Sequence, residues 1–116
     1  MQNMTKLKLV VNNIYVRKEK EIFFIKKELN SILNLYARMV SNGTWRDYSF
    51  SRSKRDVSFN IYQRTSDRPI LKILKNFKPK NKNEKFQVKD KNGMTLEKSE
   101  ELKSIIGKIN KDIEKF

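Results

Sequence analysis

The residues of this chain that could bind a ligand are aromatic and cationic, and the most distinctive run is Trp45-Arg46-Asp47-Tyr48. Its aromatic rings could stack on bases, and Arg46 could bind a phosphate or a partner's carboxylate. The alternative is that Trp45 and Tyr48 pack against a helix while Arg46 and Asp47 form local ion pairs. Tryptophan is highly buried on average, which favours this second interpretation.

Two basic loops form a second candidate site. The first, predicted to close a hairpin, carries Arg52, Lys54 and Arg55. The second surrounds Pro79, and its lysines are Lys75, Lys78, Lys80, Lys82 and Lys85. If both loops lie at one end of a sheet, they form a rim that could bind phosphates. Solvated lysines are the competing interpretation, because no glycine-rich cradle or interleaved aromatic accompanies them.

The solvent face of the first two predicted strands is a third candidate. Strand alternation could expose aromatic, polar and cationic side chains there: Trp45, Ser49, Asn60, Tyr62 and Arg64. Many RNA-binding modules stack bases on a sheet face of this kind. An ordinary solvated face with an occasional aromatic residue is the alternative.

Composition excludes much enzyme chemistry. The chain has no cysteine and no histidine, so disulfides, thiolate metal sites, cysteine nucleophiles and histidine bases are all absent. The carboxylates considered for acid–base work are Glu28, Asp47, Asp56 and Asp67, and no two have a spacing that suggests catalysis. We therefore expect a protein that is not an enzyme and that uses no metal and no cofactor.

The formal net charge is +14, which points to an anionic partner such as RNA or DNA. Genome composition is an equally good explanation, because the chain has 20 Lys against 7 Arg, with 12 Asn, 11 Ile and a single Ala. No segment approaches the ~20 apolar residues that span a bilayer, and no signal peptide is recognisable. We expect a cytoplasmic protein that does not contact membranes.

The clearest element that could position these residues is a helix over about residues 26–42. Its apolar stripe is Leu29, Ile32, Leu33, Tyr36, Met39 and Val40. Ile25 would occupy the N-cap, with Glu28 at the third helical position. Gly43 suits the left-handed position that ends a helix.

Strands and a second helix follow. Alternating apolar residues predict about four to five antiparallel strands between residues 44 and 96, with Asn92-Gly93 as a hairpin turn. Ser99 would cap a final helix over about residues 100–115. The expected fold is a two-layer α+β domain over residues 22–116, in which an open meander packs against two helices. Residues 1–21 would form an arm or short strands.

The segment from Phe24 to Tyr48 resembles domain of unknown function 2794, an uncharacterised alphaproteobacterial family. The matching residues are Glu28-Leu29, Ile32-Leu33, Tyr36-Ala37-Arg38-Met39-Val40, Gly43 and Trp45-Arg46-Asp47-Tyr48. Similarity covers about residues 22–110, more weakly after Tyr48, and departs at Ile25, where the family usually has Asp. The resemblance implies no activity, because the family has none established.

Two functions remain open. The first is a binding module for nucleic acid or a ribonucleoprotein surface, which would use the basic loops and the sheet face. The second is a protein–protein adaptor or small regulatory subunit, in which the lysine content is compositional. Core packing and helix termination do not explain Arg38, Arg46 and Arg64, so these arginines are candidate contacts in both cases.

Overall fold

A five-stranded antiparallel sheet and two helices make up the fold of this protein, for which a computed structural model describes residues 22–64, 68–112 and 116. The elements are α1 (Lys26–Ser41), β1 (Asp47–Arg52), β2 (Asp56–Tyr62), β3 (Leu71–Asn76), β4 (Phe86–Asp90), β5 (Thr95–Ser99) and α2 (Leu102–Lys111). A single 3₁₀ turn, Lys82–Glu84, lies between β3 and β4. The strands neighbour one another in chain order, which confirms the predicted α+β meander.

Three sequence-based predictions fall outside the described residues. They concern the arm at residues 1–21, most of the turn at residues 65–68, and the end of the second helix at residues 113–115. Among the residues described, no helix has the length and apolar character needed to cross a membrane.

The core lies between the helices and one face of the sheet. Register places Phe59 of β2, Ile73 of β3 and Val88 of β4 side by side, and all three are buried. From the helices, Ile32, Leu35, Met39, Leu102, Ile105 and Ile109 join the same cluster. Burial of this apolar surface is the main force that holds the two layers together.

The buried stripe of α1 differs from the predicted one. Its centre is Ile32, Leu35 and Met39, so the prediction missed Leu35. It also wrongly included Val40, which is 41% exposed. The spacing i, i+3, i+7 is helical in both cases, but the sheet contacts the helix along this ridge, and Val40 points past it.

Both ends of α1 follow from local sequence. Ile25 occupies the N-cap in an extended conformation, and Glu28 Oε1 accepts a hydrogen bond from the Ile25 backbone N–H at 2.9 Å. At the other end Gly43 has φ +77°. The N–H groups of Gly43 and Thr44 donate to the carbonyls of Val40 and Met39, which is the Schellman arrangement.

Replacing Ile25 with Asp should raise the free energy of unfolding by about 0.5–2 kcal/mol. The isoleucine side chain makes no cap hydrogen bond, whereas a carboxylate there can accept one from a first-turn N–H. Urea unfolding measures the change. The matched control is Ile25→Ala, which supplies no acceptor, and equal stability of both variants would contradict the prediction.

Two local predictions need correction. The Asn92-Gly93 hairpin is present, but Gly93 N–H donates to the Asp90 carbonyl at 3.0 Å. That bond makes Lys91 and Asn92 the central pair of the turn, with Gly93 after them at φ +85°. The N-cap of α2 is Glu101, because Ser99 belongs to β5.

Candidate functional site

The predicted ligand-binding residues separate toward opposite ends of the sheet. The β1–β2 hairpin and the β3–β4 connection lie at one end, since Asp56 pairs with Asn76. Arg46, Tyr62 and Arg64 lie at the other end, where Asp47 pairs with Tyr62. The two basic loops therefore lie at the same end of the sheet, and the arginines beside Tyr62 are not part of that end.

At the end that carries the two basic loops, the protein forms a concavity with a volume of about 730 Å³, which we call the basic concavity. Five cationic side chains line it, against two carboxylates, Asp56 and Glu84. The cations are Lys54, Arg55, Lys78, Lys80 and Lys89. Leu74, Asn76 and Gln87 complete the lining. The surface therefore carries an excess of positive charge in one small area.

Backbone hydrogen bonds hold the two loops against each other. Phe77 N–H donates to the Arg55 carbonyl at 2.8 Å, so the loops are linked directly. Within the hairpin, Ser53 Oγ accepts from the N–H groups of Arg55 and Asp56. Asn76 Oδ1 accepts from Lys78 N–H at 3.3 Å. These bonds fix the backbone positions of the cationic residues, whose side-chain ends extend into solvent.

The charges at this end are largely uncompensated. Lys54, Arg55, Lys78 and Lys80 form no ion pair with any described residue and are exposed. Glu84 pairs instead with Lys98, at 3.6 Å. Exposed, unpaired cations are available to an anionic ligand at little desolvation cost.

Three other predicted basic residues do not line the basic concavity. Lys75 is fully buried on the core face, where its Nζ lies 2.8 Å from Glu28 Oε1, so its assignment to the rim was wrong. Arg52 donates to the Ile22 carbonyl at 3.3 Å. Lys82, in the 3₁₀ turn, is exposed and does not line the basic concavity.

The sheet face opposite the helices does not present the predicted aromatic platform. Ser49, Ser51, Ser58 and Asn60 hydrogen-bond to one another, and Tyr62 OH lies 3.0 Å from Ser49 Oγ. Asn60 is only 5% exposed. The polar groups of this network already bind each other, so stacking of bases on this face is not supported.

Trp45 was predicted as a possible base-stacking residue, and the structure contradicts this. It is 1% exposed and lies between α1 and the sheet. Its Nε1–H points to the Phe116 carbonyl at 3.5 Å, and its ring lies 6.3 Å from that of Tyr36. For Trp45, the packing alternative considered from the sequence is therefore the correct one.

The remaining arginines have separate surroundings. Arg38 Nη2 donates to Asn110 Oδ1 at 3.2 Å, which links the exposed ends of α1 and α2. The Arg46 backbone N–H donates to the Tyr62 carbonyl at 2.8 Å. The Arg46 side chain is exposed, and the local ion pairs considered for Arg46 and Asp47 do not occur among the described residues.

A group of exposed aromatic residues was not predicted as a site. Phe23, Tyr48 and Phe50 are 36%, 40% and 39% exposed, and the Phe23 and Tyr48 rings lie 5.3 and 5.7 Å from that of Phe50. Strand alternation could have grouped Tyr48 with Phe50, but not Phe23, which precedes α1. Beside them, burial raises the pKa of Tyr36, and the nearby Asp47 carboxylate adds to this effect.

The described residues contain no group of three or more carboxylates that could hold a metal ion. Comparison with known proteins adds family membership. No curated protein and no solved structure matches the chain. The model of the family described as "Protein of unknown function (DUF2794)" matches residues 22–106, well over half of the chain, and the chain therefore belongs to that family.

Proposed function

We propose that this protein is a non-enzymatic domain that binds the phosphate backbone of RNA or DNA at the basic concavity. The observation that carries the proposal is the meeting of two separate loops, which places Lys54 and Arg55 beside Lys78 and Lys80. Cations that neutralise successive phosphates release condensed counterions, and this release drives binding.

The composition of the concavity favours backbone recognition over base recognition. Its lining contains no aromatic side chain, so it lacks the stacking platform that single-strand binders use. Arginine is the side chain best suited to bidentate contacts with guanine, and only one of the five cations is arginine. We therefore expect affinity that depends weakly on sequence and strongly on salt.

Five of the cationic side chains lie together around the basic concavity. Lys98 and Lys108, in contrast, pair with the carboxylates of Glu84 and Glu97. This placement supports a functional role for part of the net charge of +14.

The test is a titration of labelled RNA and DNA oligonucleotides, followed by fluorescence anisotropy at several salt concentrations. The double variant Lys78→Glu/Lys80→Glu should weaken binding ~10-fold or more at about 0.1 M salt. The negative slope of log K against log salt should become less steep by about 2. Two phosphate contacts are lost in this variant, which explains both changes.

The matched control is Lys91→Glu/Lys111→Glu, which changes the net charge equally. Both residues are exposed and lie outside the concavity, Lys91 in the β4–β5 turn and Lys111 at the end of α2. Equal losses in the two double variants would show that total charge alone matters. That outcome, or no binding by the wild type at about 0.05 M salt, would refute the proposal.

The adaptor function would use other surfaces, such as the exposed side of α1 or the sheet face near Tyr62. The hydroxyl of Tyr62 already bonds to Ser49. The observation that favours a protein contact is instead the exposed aromatic group along β1.

A further inference from the structure

The strand β1 has an edge with no partner strand in the described chain, and exposed aromatic side chains lie along it. It is the first strand of the sheet and pairs only with β2 in the described chain. Its apolar side chains are Tyr48 and Phe50, and Phe23, Ile22 and Ile25 extend the apolar surface beside them. An open strand edge with exposed aromatics is a template for pairing with another strand.

The opposite edge of the sheet, at β5, is protected against pairing with another strand, whereas the β1 edge lacks these protections. The β4–β5 pairing contains a register shift between Val88 and Lys89. A salt bridge of 3.5 Å joins Glu97 of β5 to Lys108 of α2. In contrast, β1 pairs with β2 without a shift and contains no lysine and no proline. Bulges, lysines and covering helices are the usual protections of edge strands.

We propose that the β1 edge pairs with the β1 edge of a second copy of this chain, to form an antiparallel two-fold dimer with a continuous ten-stranded sheet. The proposal is independent of nucleic-acid binding, because the basic concavity is formed by other residues. A two-fold interface requires a surface that complements itself, and β1 meets this requirement in side chains and backbone.

Backbone polarity fixes which residues pair. Ser53 N–H donates to the Asp56 carbonyl, and hydrogen bonding alternates along an antiparallel pair. Ser49 and Ser51 therefore bond inward to β2, while Tyr48 and Phe50 direct their backbone groups outward. Tyr48 N–H is held by the Asp47 carboxylate at 2.8 Å, a local contact that pairing would replace.

Side chains then favour a register centred on Ser49. In that register Tyr48 of each copy lies opposite Phe50 of the other, both on the face that already carries exposed rings. Asp47 of each copy lies opposite Ser51 of the other, on the face of the sheet opposite to Arg52. Cross-strand aromatic pairs stabilise sheets.

The chain suits a crosslinking test because it contains no cysteine. In the proposed register Ser49 faces itself across a non-hydrogen-bonded pair, with Cα atoms about 4.5 Å apart, within the range for a disulfide. The variant Ser49→Cys should form a covalent dimer under mild oxidation. The matched control Ser51→Cys should not, since its two copies are offset by four residues, roughly 14 Å.

Analytical ultracentrifugation of the wild-type chain at about 0.15 and about 0.5 M NaCl should show a dimer that strengthens with salt. Two protomers that each carry +14 repel, and salt screens this repulsion. Nucleic-acid binding should weaken over the same range. The opposite salt dependences make failure of the dimer and failure of nucleic-acid binding distinguishable.

The variant Phe50→Lys should abolish the dimer, while Met94→Lys, at a 66% exposed site in the β4–β5 turn, should preserve it. Circular dichroism checks that both variants fold. A monomeric wild type at both salt concentrations would overturn the proposal, and so would a dimer that survives Phe50→Lys. Equal crosslinking of Ser49→Cys and Ser51→Cys would also overturn it, whatever the stability of the lysine variants.

Discussion

Replacing Lys75 with methionine should lower the free energy of unfolding by about 3–5 kcal/mol. The Lys75 ammonium is fully buried, and it lies 2.8 Å from Glu28 Oε1 and 3.2 Å from the Phe23 carbonyl. Methionine keeps most of the side-chain volume, so the loss comes chiefly from the carboxylate left without its cation. Glu28 is itself largely buried, at 13% exposure, and water cannot fully replace the lost partner.

Glu28 has a second role that a matched variant can separate from the first. Its Oε1 accepts a hydrogen bond from Ile25 N–H as well as from Lys75. In Glu28→Gln the amide oxygen can still accept from Ile25, so the helix start is kept while the charge is lost. This variant should also be less stable by about 3–5 kcal/mol, because the buried Lys75 ammonium loses the carboxylate charge that lies 2.8 Å away.

The double variant Lys75→Met/Glu28→Gln completes the thermodynamic cycle. Removal of both charges should restore part of the stability, with a coupling energy of about 0.5–3 kcal/mol. Urea unfolding followed by circular dichroism measures all four proteins. A Lys75→Met variant as stable as the wild type, or strictly additive losses in the double variant, would show that the pair does not hold α1 to the sheet.

Short-range patterns were enough to predict most of the fold. Val57, Phe59 and Ile61 alternate along β2 and all face the core, and Gly43 ends α1 as its sequence indicated. Such features depend on neighbours within a few residues, for which side-chain period and turn chemistry are reliable. The meander followed from the same signals, because each strand pairs with the next one along the chain.

Contacts between distant residues could not be predicted in the same way. Lys75 continues the alternation of Leu71 and Ile73, but a lysine at a strand end is usually solvated. Its burial depends on Glu28, 47 residues away in sequence. Asn60 is a similar case, since its burial relies on Ser49 and Ser51 of the neighbouring strand as hydrogen-bond partners.

The candidate site was predicted only in part, because the positions of its loops follow from local patterns and the positions of its side chains do not. Convergence of the basic loops required only that the sheet be a meander, because alternate connections of a meander lie at the same end. The membership of Lys89, and the absence of Lys75 and Lys82, required the actual side-chain positions. The exposure of Phe23 and Phe50 could not be predicted, because it depends on how much of β1 the helix α1 covers.

Replacing Trp45 with alanine should lower the free energy of unfolding by about 3–5 kcal/mol, because a large buried ring is lost between α1 and the sheet. Trp45→Phe should cost less, about 1–2 kcal/mol, since it keeps most of the packing. The hydrogen bond that Trp45→Phe removes is long, at 3.5 Å to the Phe116 carbonyl, and contributes little. Urea unfolding followed by circular dichroism compares the three proteins.

Trp45 fluorescence can also distinguish packing from base stacking, because Trp45 is the single tryptophan of the chain. A tryptophan that stacks on bases contributes about 1–3 kcal/mol per base to binding, and its fluorescence is sensitive to that contact. A ring that is 1% exposed cannot make it. We therefore expect no quenching of Trp45 emission at saturating RNA, and an affinity of folded Trp45→Phe within about 2-fold of wild type. Strong quenching, or a 10-fold loss of affinity in a variant that remains folded, would mean that RNA binding exposes the ring and that the basic concavity is not the whole binding surface.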